Sequence, residues 1–144
     1  MGYYSDVAVA IYGEENQMVA FIAATRLKDN VAEVFNECEI YPYNSSQYAT
    51  NPNTPHLMLV AQFNDVKWYD GYEDVDRWMK FVGLAQEQCD YINTEFARAG
   101  EENDDNVYED NGPDVENHLG ISREVYTDLP KNRRKYDERT KCLR

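Results

Sequence analysis

LMLVAQFNDVKWYDGYEDVDRWMKFV, residues 57–82, decides the fold, because within it one strand hands over to one helix. From Leu57 to Phe63 both alternating faces are apolar: Leu57, Leu59, Ala61 and Phe63 on one, Met58 and Val60 on the other. A strand apolar on both faces belongs in the middle of a sheet, with cover on each side. After a polar step at Asn64-Asp65 and the pair Trp68-Tyr69, the chain turns at Asp70-Gly71. Val75, Trp78, Met79, Val82 and Ala85 then recur at helical spacing and predict the buried stripe of a helix running to Gln88. Asp70 with Glu73 three residues later predicts an N-cap with a reciprocal capping-box partner. Glu73, Asp74 and Asp76 load the first turn with negative charge, which the helix dipole favours. Glu73 with Arg77, and Asp76 with Lys80, are spaced as (i, i+4) ion pairs.

Upstream, Asp6 to Tyr12 sets Val7, Val9 and Ile11 against Ala8, Ala10 and Tyr12, a second strand apolar on both faces, which Gly13 ends. Glu14 to Lys28 puts acids first and bases last, with Met18, Phe21, Ile22 and Thr25 along one side, and predicts a helix. A strand through MVAFIA, residues 18–23, is the competing assignment. Asn30 is placed to cap a short helix containing Val31, Val34, Phe35 and Cys38, after which Glu39 to Tyr43 reads as extended. Residues 44–55, NSSQYATNPNTP, are turn formers throughout and predict a surface loop.

Downstream, Tyr91 to Arg98 alternates, with Ile92, Thr94 and Phe96 on one face. Residues 101–116 carry eight acids and no base, and read as a solvated loop holding at most a short extended piece. Leu119, Ile121, Arg123 and Val125 alternate in a last strand, ended by Asp128-Leu129-Pro130. The predicted order is strand, helix, strand, strand, helix, strand, then an extra C-terminal strand. With the first and third strands central, this is an α+β domain over residues 1–130 of ferredoxin-like, split β-α-β type. Its antiparallel sheet would carry two helices on one face. An α+β meander with helices at one end is the rival. Residues 131–144 have no apolar period and read as a basic flexible tail.

Charge is the unusual feature. Twenty-seven acids face fourteen bases, for a net charge of −13. Seven of the bases (Lys131, Arg133, Arg134, Lys135, Arg139, Lys141 and Arg144) lie in the last fourteen residues, so the tail is +5 and the body −18. Such a body repels nucleic acid and anionic lipid, and suits a basic partner. No apolar window of about 18 residues is present, so no membrane span is expected. The opening MGYYSDVAVA lacks the basic and apolar regions of a signal peptide, and Asp6 occupies the position where myristoylation of Gly2 calls for Ser or Thr. Cys38, Cys89 and Cys142 are few, odd in number and far apart, and read as reduced thiols rather than a disulfide framework or zinc site.

No catalytic signature stands out. His56 and His118 are isolated, and no nucleophile elbow is present. Asp65, Asp70 and Glu73 cluster at the end of the central strand, where metal enzymes place acids, but Asp70 and Glu73 already have a capping explanation. The 101–116 stretch lacks the EF-hand register, and the seven glycines never cluster into a phosphate loop. Neither an enzymatic activity nor a cofactor or metal is therefore expected. Twelve tyrosines are many, and Tyr3, Tyr4, Tyr69, Tyr72, Tyr108 and Tyr126 lie beside acids. A tyrosine-and-carboxylate surface suits docking on a basic protein.

MGYYSDVAVAIYG at 1–13, VKWYDGYEDVDRW at 66–78, FARAGEENDDNVYED at 96–110 and ISREVY at 121–126 together resemble a family of short acidic proteins of tailed bacteriophages, mostly of unassigned function. The resemblance runs in order over residues 1–126 and leaves out the basic tail. It implies a viral accessory protein of the host bacterial cytoplasm, and it brings no catalytic residues with it. Together with the charge, it leads to the expectation of a non-enzymatic protein that mimics nucleic acid and inhibits a basic or nucleic-acid-binding factor of the host or phage. Glu73, Asp74, Asp76, Glu101, Glu102, Asp104, Asp105, Glu109 and Asp110 are the expected contact residues. The alternatives are a self-associating assembly module, hence a homo-oligomer, and a small metal-dependent enzyme using the acids after the central strand.

Overall fold

The alternation of Val7, Val9 and Ile11 with Ala8, Ala10 and Tyr12 becomes β1 (Ser5–Glu14), the centre of a five-stranded sheet. The computed structural model describes residues 2–28, 31–43 and 54–121. Within them the chain continues through α1 (Glu15–Arg26), a 3-10 helix at Ala32–Glu37, β2 (Glu39–Tyr43), β3 (His56–Val66), α2 (Glu73–Gln86), β4 (Ile92–Ala99) and β5 (Asn106–Asn111). The strands lie in the order β2-β3-β1-β4-β5, and every neighbouring pair is antiparallel. The architecture is α+β on one antiparallel sheet. Where β1 meets β3 the register slips by one residue near Asp65 (φ 60°), whose N–H donates to Asp6 Oδ1 at 2.8 Å.

One face of the sheet forms the main core. Val7, Val9 and Ile11 of β1, Leu59 and Ala61 of β3, and Ile92 and Phe96 of β4 pack with Met18 and Phe21 of α1 and with Trp78, Phe81, Val82 and Ala85 of α2. Both helices therefore cover the same face. Each large apolar side chain buried there contributes about 1.5–3 kcal/mol. Trp78 is 2% exposed, and its Nε1–H donates to Glu37 Oε1 at 2.7 Å, so its one polar atom is satisfied.

Several expectations need correction. The buried stripe of α2 includes Phe81 and leaves Met79 37% exposed. Phe21 and Phe35 bring their rings to 5.5 and 5.3 Å from Phe81, so aromatic packing on that flank decides which edge of the helix is covered. Asp70 does not cap α2. Tyr72 is the N-cap and uses no side-chain bond, because the chain first completes the Asp70–Gly71 turn. Asp76 Oδ1 instead accepts the Gly71 N–H at 3.2 Å. Arg77 reaches Glu73 at 3.8 Å and Glu33 at 3.6 Å, while Asp76 and Lys80 form no ion pair among those described.

The acidic stretch is not all loop, since Asn106–Asn111 pairs along β4 and supplies the outer strand. Its carboxylates and amides carry little strand propensity, but pairing satisfies the backbone groups of β4 that a loop would leave open. The fifth strand is thus β5. Leu119–Ile121 takes no part in the sheet's pairing and crosses its second face. Arg123 and Val125, the expected cap Asn30, residues 44–53 of the predicted loop and the tail 131–144 lie outside the described residues.

Candidate functional site

The expected contact residues fall into three places. Glu101, Glu102, Asp104 and Asp105 form the turn between β4 and β5, and Glu73, Asp74 and Asp76 form the first turn of α2. Tyr3 ties the β4–β5 turn to Tyr69, in the loop that leads into α2. Its N–H donates to Tyr69 Oη, while its own Oη donates to Asp105 Oδ2 at 2.6 Å and accepts the Glu102 N–H at 3.1 Å. Gly100 makes this possible, because a Cβ there would stand 2.4 Å from Tyr3 Oη and 2.2 Å from Asp105 Oδ2. Glu101 Oε2 accepts the Tyr4 N–H at 2.8 Å.

These acids are not equivalent. Asp105 is bound in a fork by Arg98, at 2.8 and 3.2 Å, so its charge is spent inside the protein. That bond raises the Arg98 pKa, and the hydrogen bond to Asp105 likewise raises that of the Tyr3 phenol. Arg98, Asp105, Tyr3, Trp68, Tyr69 and Asp70 line an open hollow of about 420 Å³ at this end. Glu73 pairs with Arg77, and Asp76 holds the Gly71 N–H. Glu101, Glu102, Asp104, Glu73 and Asp74 are exposed, and none of them lines the hollow. Glu109 and Asp110 are not part of this group. They lie on β5 opposite Phe96 and Glu95, which face opposite sides of the sheet, so no single surface carries both.

The second face of the sheet holds an arrangement that the sequence did not reveal. Residues 113–121 run across it as a strap, and four N–H groups of the strap are taken by side chains of the sheet. The Asp114 N–H donates to Asn93 Oδ1 (2.7 Å) and the Glu116 N–H to Tyr12 Oη (2.7 Å). Glu95, fully buried, accepts the His118 N–H at Oε2 (3.0 Å) and the Leu119 N–H at Oε1 (2.9 Å). Asn117 has a positive φ of 58°, which turns these two neighbouring N–H groups onto one carboxylate. Tyr12 Oη donates to Glu95 Oε2, and Tyr108 Oη stands 3.2 Å from both Glu95 Oε1 and Asn117 Oδ1. Gly112, at φ 134°, lets the chain fold over Asn93, where a Cβ would come within 2.5 Å of the amide oxygen.

Below the strap, Tyr12 packs edge-on against Tyr43 and His118, with Met58, Val60 and Leu119 around them. Burial raises the phenol pKa of Tyr12, Tyr43 and Tyr108 well above the ordinary value. The only sequence signal for this face was that β1 and β3 are apolar on both sides. Asn93 and Glu95 read as an ordinary wet face of β4.

Among the described residues, neither histidine is paired with a nucleophile. His56 Nδ1 lies 2.6 Å from the Thr54 carbonyl oxygen, and His118 Nε2 lies 3.0 Å from Glu116 Oε1. Among the described residues, no group of three His, Cys, Asp or Glu side chains is placed to hold a metal ion, and no helix is long and apolar enough to cross a membrane. Comparison with protein-family models, with curated proteins and with solved structures finds no match.

Proposed function

We propose that this protein is a non-enzymatic accessory protein of a tailed bacteriophage that acts in the host bacterial cytoplasm by binding a basic, nucleic-acid-handling protein of host or phage. Its carboxylates would occupy the partner's phosphate sites and so inhibit that partner. The observation that carries this reading is the end of the molecule built around Tyr3, which ties the β4–β5 turn, with Glu101, Glu102 and Asp104 exposed, to Tyr69 in the loop before α2, whose first turn exposes Glu73 and Asp74. A duplex presents a negative charge about every 1.7 Å of its axis, and proteins that grip it do so with Lys and Arg. A surface held rigid by side-chain bonds loses less entropy on docking than a mobile acidic loop. The order β2-β3-β1-β4 with two helices on one face supports reading the scaffold as a ferredoxin-like split β-α-β unit, with β5 added beside β4.

The test is Asp74→Lys, Glu102→Lys and Asp104→Lys in one variant, leaving Asp105 and its Arg98 pair intact. The variant is expected to keep its circular dichroism and melting temperature but to lose capture of the basic partner. Retained capture would refute the proposed surface. A self-associating module is the second reading, favoured by edge strand β2, where Ile40 and Tyr41 are each 41% exposed. Deleting residues 131–144 and measuring mass at low and high salt tests it. Loss of an oligomer at low salt would favour assembly, and an unchanged mass would exclude exchange of the basic tail.

A further inference from the structure

Arg98 and Asp105 line a hollow that differs from the rest of the acidic end, because most of its wall is aromatic or apolar. Its volume is about 420 Å³, and it lies between the loop before α2, α2 itself, the end of β4 and the β4–β5 turn. Hollows that take a discrete chemical group run from about 300 Å³ upward. Trp68, Tyr69, Phe96 and Met79 line it together with Tyr3. Phe96 belongs to the buried core, whereas Met79 lies off the buried stripe of its helix and is left exposed. Rings and a methionine gathered at the surface around an arginine are the composition of a docking centre. The walls are set before anything docks. Trp68 stacks on Phe63 and tilts against Phe96, each at 6.2 Å, and Tyr3 Oη is fixed by Asp105 and by the Glu102 N–H.

The charges of the lining narrow the occupant. Arg98 and Asp105 neutralise each other in their fork, which leaves little for an incoming anion to grip. Asp70 makes no hydrogen bond or ion pair among the described residues, so it is the uncompensated charge of the lining. A neutral apolar group seated in the hollow would cover Asp70 without giving it a partner, which costs free energy. A cation on an apolar stem meets both the rings and the carboxylate. Lys67, next to Trp68 in the chain, does not supply it, because its Nζ lies over the Tyr4 ring, 5.7 Å from the centroid. Arginine suits the hollow better than lysine, since a planar guanidinium can lie on an aromatic face and donate in a fork to a carboxylate at once. Glu73 and Asp74 follow Asp70 in the chain, and Glu101, Glu102 and Asp104 precede Asp105. All five are exposed outside the hollow, and their field favours a cation there. We infer that this hollow is the anchor point of the acidic end and takes one arginine side chain presented by a protein, its stem against Met79 and Trp68 and its guanidinium on Asp70. The inference deepens the proposed function and rests on it for the identity of the partner, though not for the binding of arginine itself.

The experiment titrates the full-length protein with the peptide N-acetyl-Gly-Arg-Gly amide and with its lysine and citrulline counterparts, following the two indole N–H signals by NMR. Trp78 is the internal control, because it is buried and its Nε1–H is held by Glu37. The expected result is a saturable shift of the Trp68 signal with the arginine peptide while Trp78 stays still. Binding should be several-fold weaker with lysine and absent with the neutral isostere citrulline. Asp70→Asn should lose at least fivefold in affinity with its circular dichroism unchanged, and Glu14→Gln, at the far end of β1, should behave as wild type. Equal binding of the citrulline peptide, a shift that never saturates, or full affinity in Asp70→Asn would each overturn the inference. Because the peptides need no partner, the two readings fail separately. Arginine binding lost while the basic partner is still captured would overturn the hollow and leave the proposed function standing. Arginine binding retained by the Asp74→Lys/Glu102→Lys/Asp104→Lys variant, with capture of the partner also unchanged, would support the hollow and refute the proposed surface.

Discussion

Tyr12→Phe removes one oxygen and leaves the ring in place, so it measures how firmly the strap is tied to the sheet. Tyr12 is fully buried, and its hydroxyl makes two bonds, donating to Glu95 Oε2 and accepting the Glu116 N–H at 2.7 Å. The first is charge-assisted and worth about 1.5–3 kcal/mol, and losing the second strands a half-buried N–H at a cost of about 1–3 kcal/mol. Because the Glu116 N–H is only partly enclosed and water can reach it, the combined loss should be roughly 2–4 kcal/mol. That is a large share of the ~5–15 kcal/mol that holds a domain of this kind together. Packing against Tyr43 and His118 is conserved by phenylalanine, so the loss reports the hydroxyl alone. Urea melts should show a lower midpoint at unchanged slope. Native-state exchange should show the Glu116, His118 and Leu119 amides losing protection together. A shift within about 0.5 kcal/mol, with those amides unaffected, would refute the tie.

Trp78→Ala should cost about 3–5 kcal/mol, since it empties the space between Phe63 and Phe81 and strips Glu37 of its donor; a urea melt within 0.5 kcal/mol of wild type would mean that α2 is not docked by this residue. The folded-state pKa values of Tyr12 and Tyr43 are raised by burial above the unfolded value of about 10, so the stability these phenols contribute is whole below about pH 10 and is lost as pH rises beyond it. Unfolding free energies and tyrosinate absorbance across that range check this, and stability that holds level while the phenols ionise would contradict it. Burial pushes the Cys38 thiol up to about 12, whereas Cys89 is exposed, so a thiol reagent at neutral pH should label Cys89 and spare Cys38 in the native protein. Labelling of both at equal rates would show that the 3-10 segment opens readily.

The central strands were legible because β1 and β3 carry apolar residues on both faces, a pattern that only cover on each side explains. The helices were legible from their spacing, but the choice between Met79 and Phe81 depended on Phe21 and Phe35, which are distant in sequence. The fifth strand left no pattern, because Asn106–Asn111 owes its extended form to pairing with β4 and not to its own side chains. Of the candidate site, the acids of the β4–β5 turn and of the first turn of α2 could be named from charge. The tie between that turn and the loop before α2 could not, since it depends on Tyr3 reaching Tyr69 and Asp105. The strap was hidden for a similar reason. Glu95 and Asn93 alternate with Ile92 and Thr94 as a solvent-facing row would, and only backbone donors from residues 114–119 turn that row into a buried one.

Binding of a basic partner by the acidic surface in place of nucleic acid is tested by capture of proteins from bacterial lysate on the immobilised protein at low salt, followed by elution with duplex DNA and, separately, with high salt. The expected result is that a nucleic-acid-binding protein is captured by the wild type, released by both treatments, and not captured by the Asp74→Lys/Glu102→Lys/Asp104→Lys variant. Exposed charges are screened over about 8 Å at physiological salt, so release should already begin there. A partner that stays bound through high salt and competing duplex, and that the charge-reversed variant captures equally well, would contradict it.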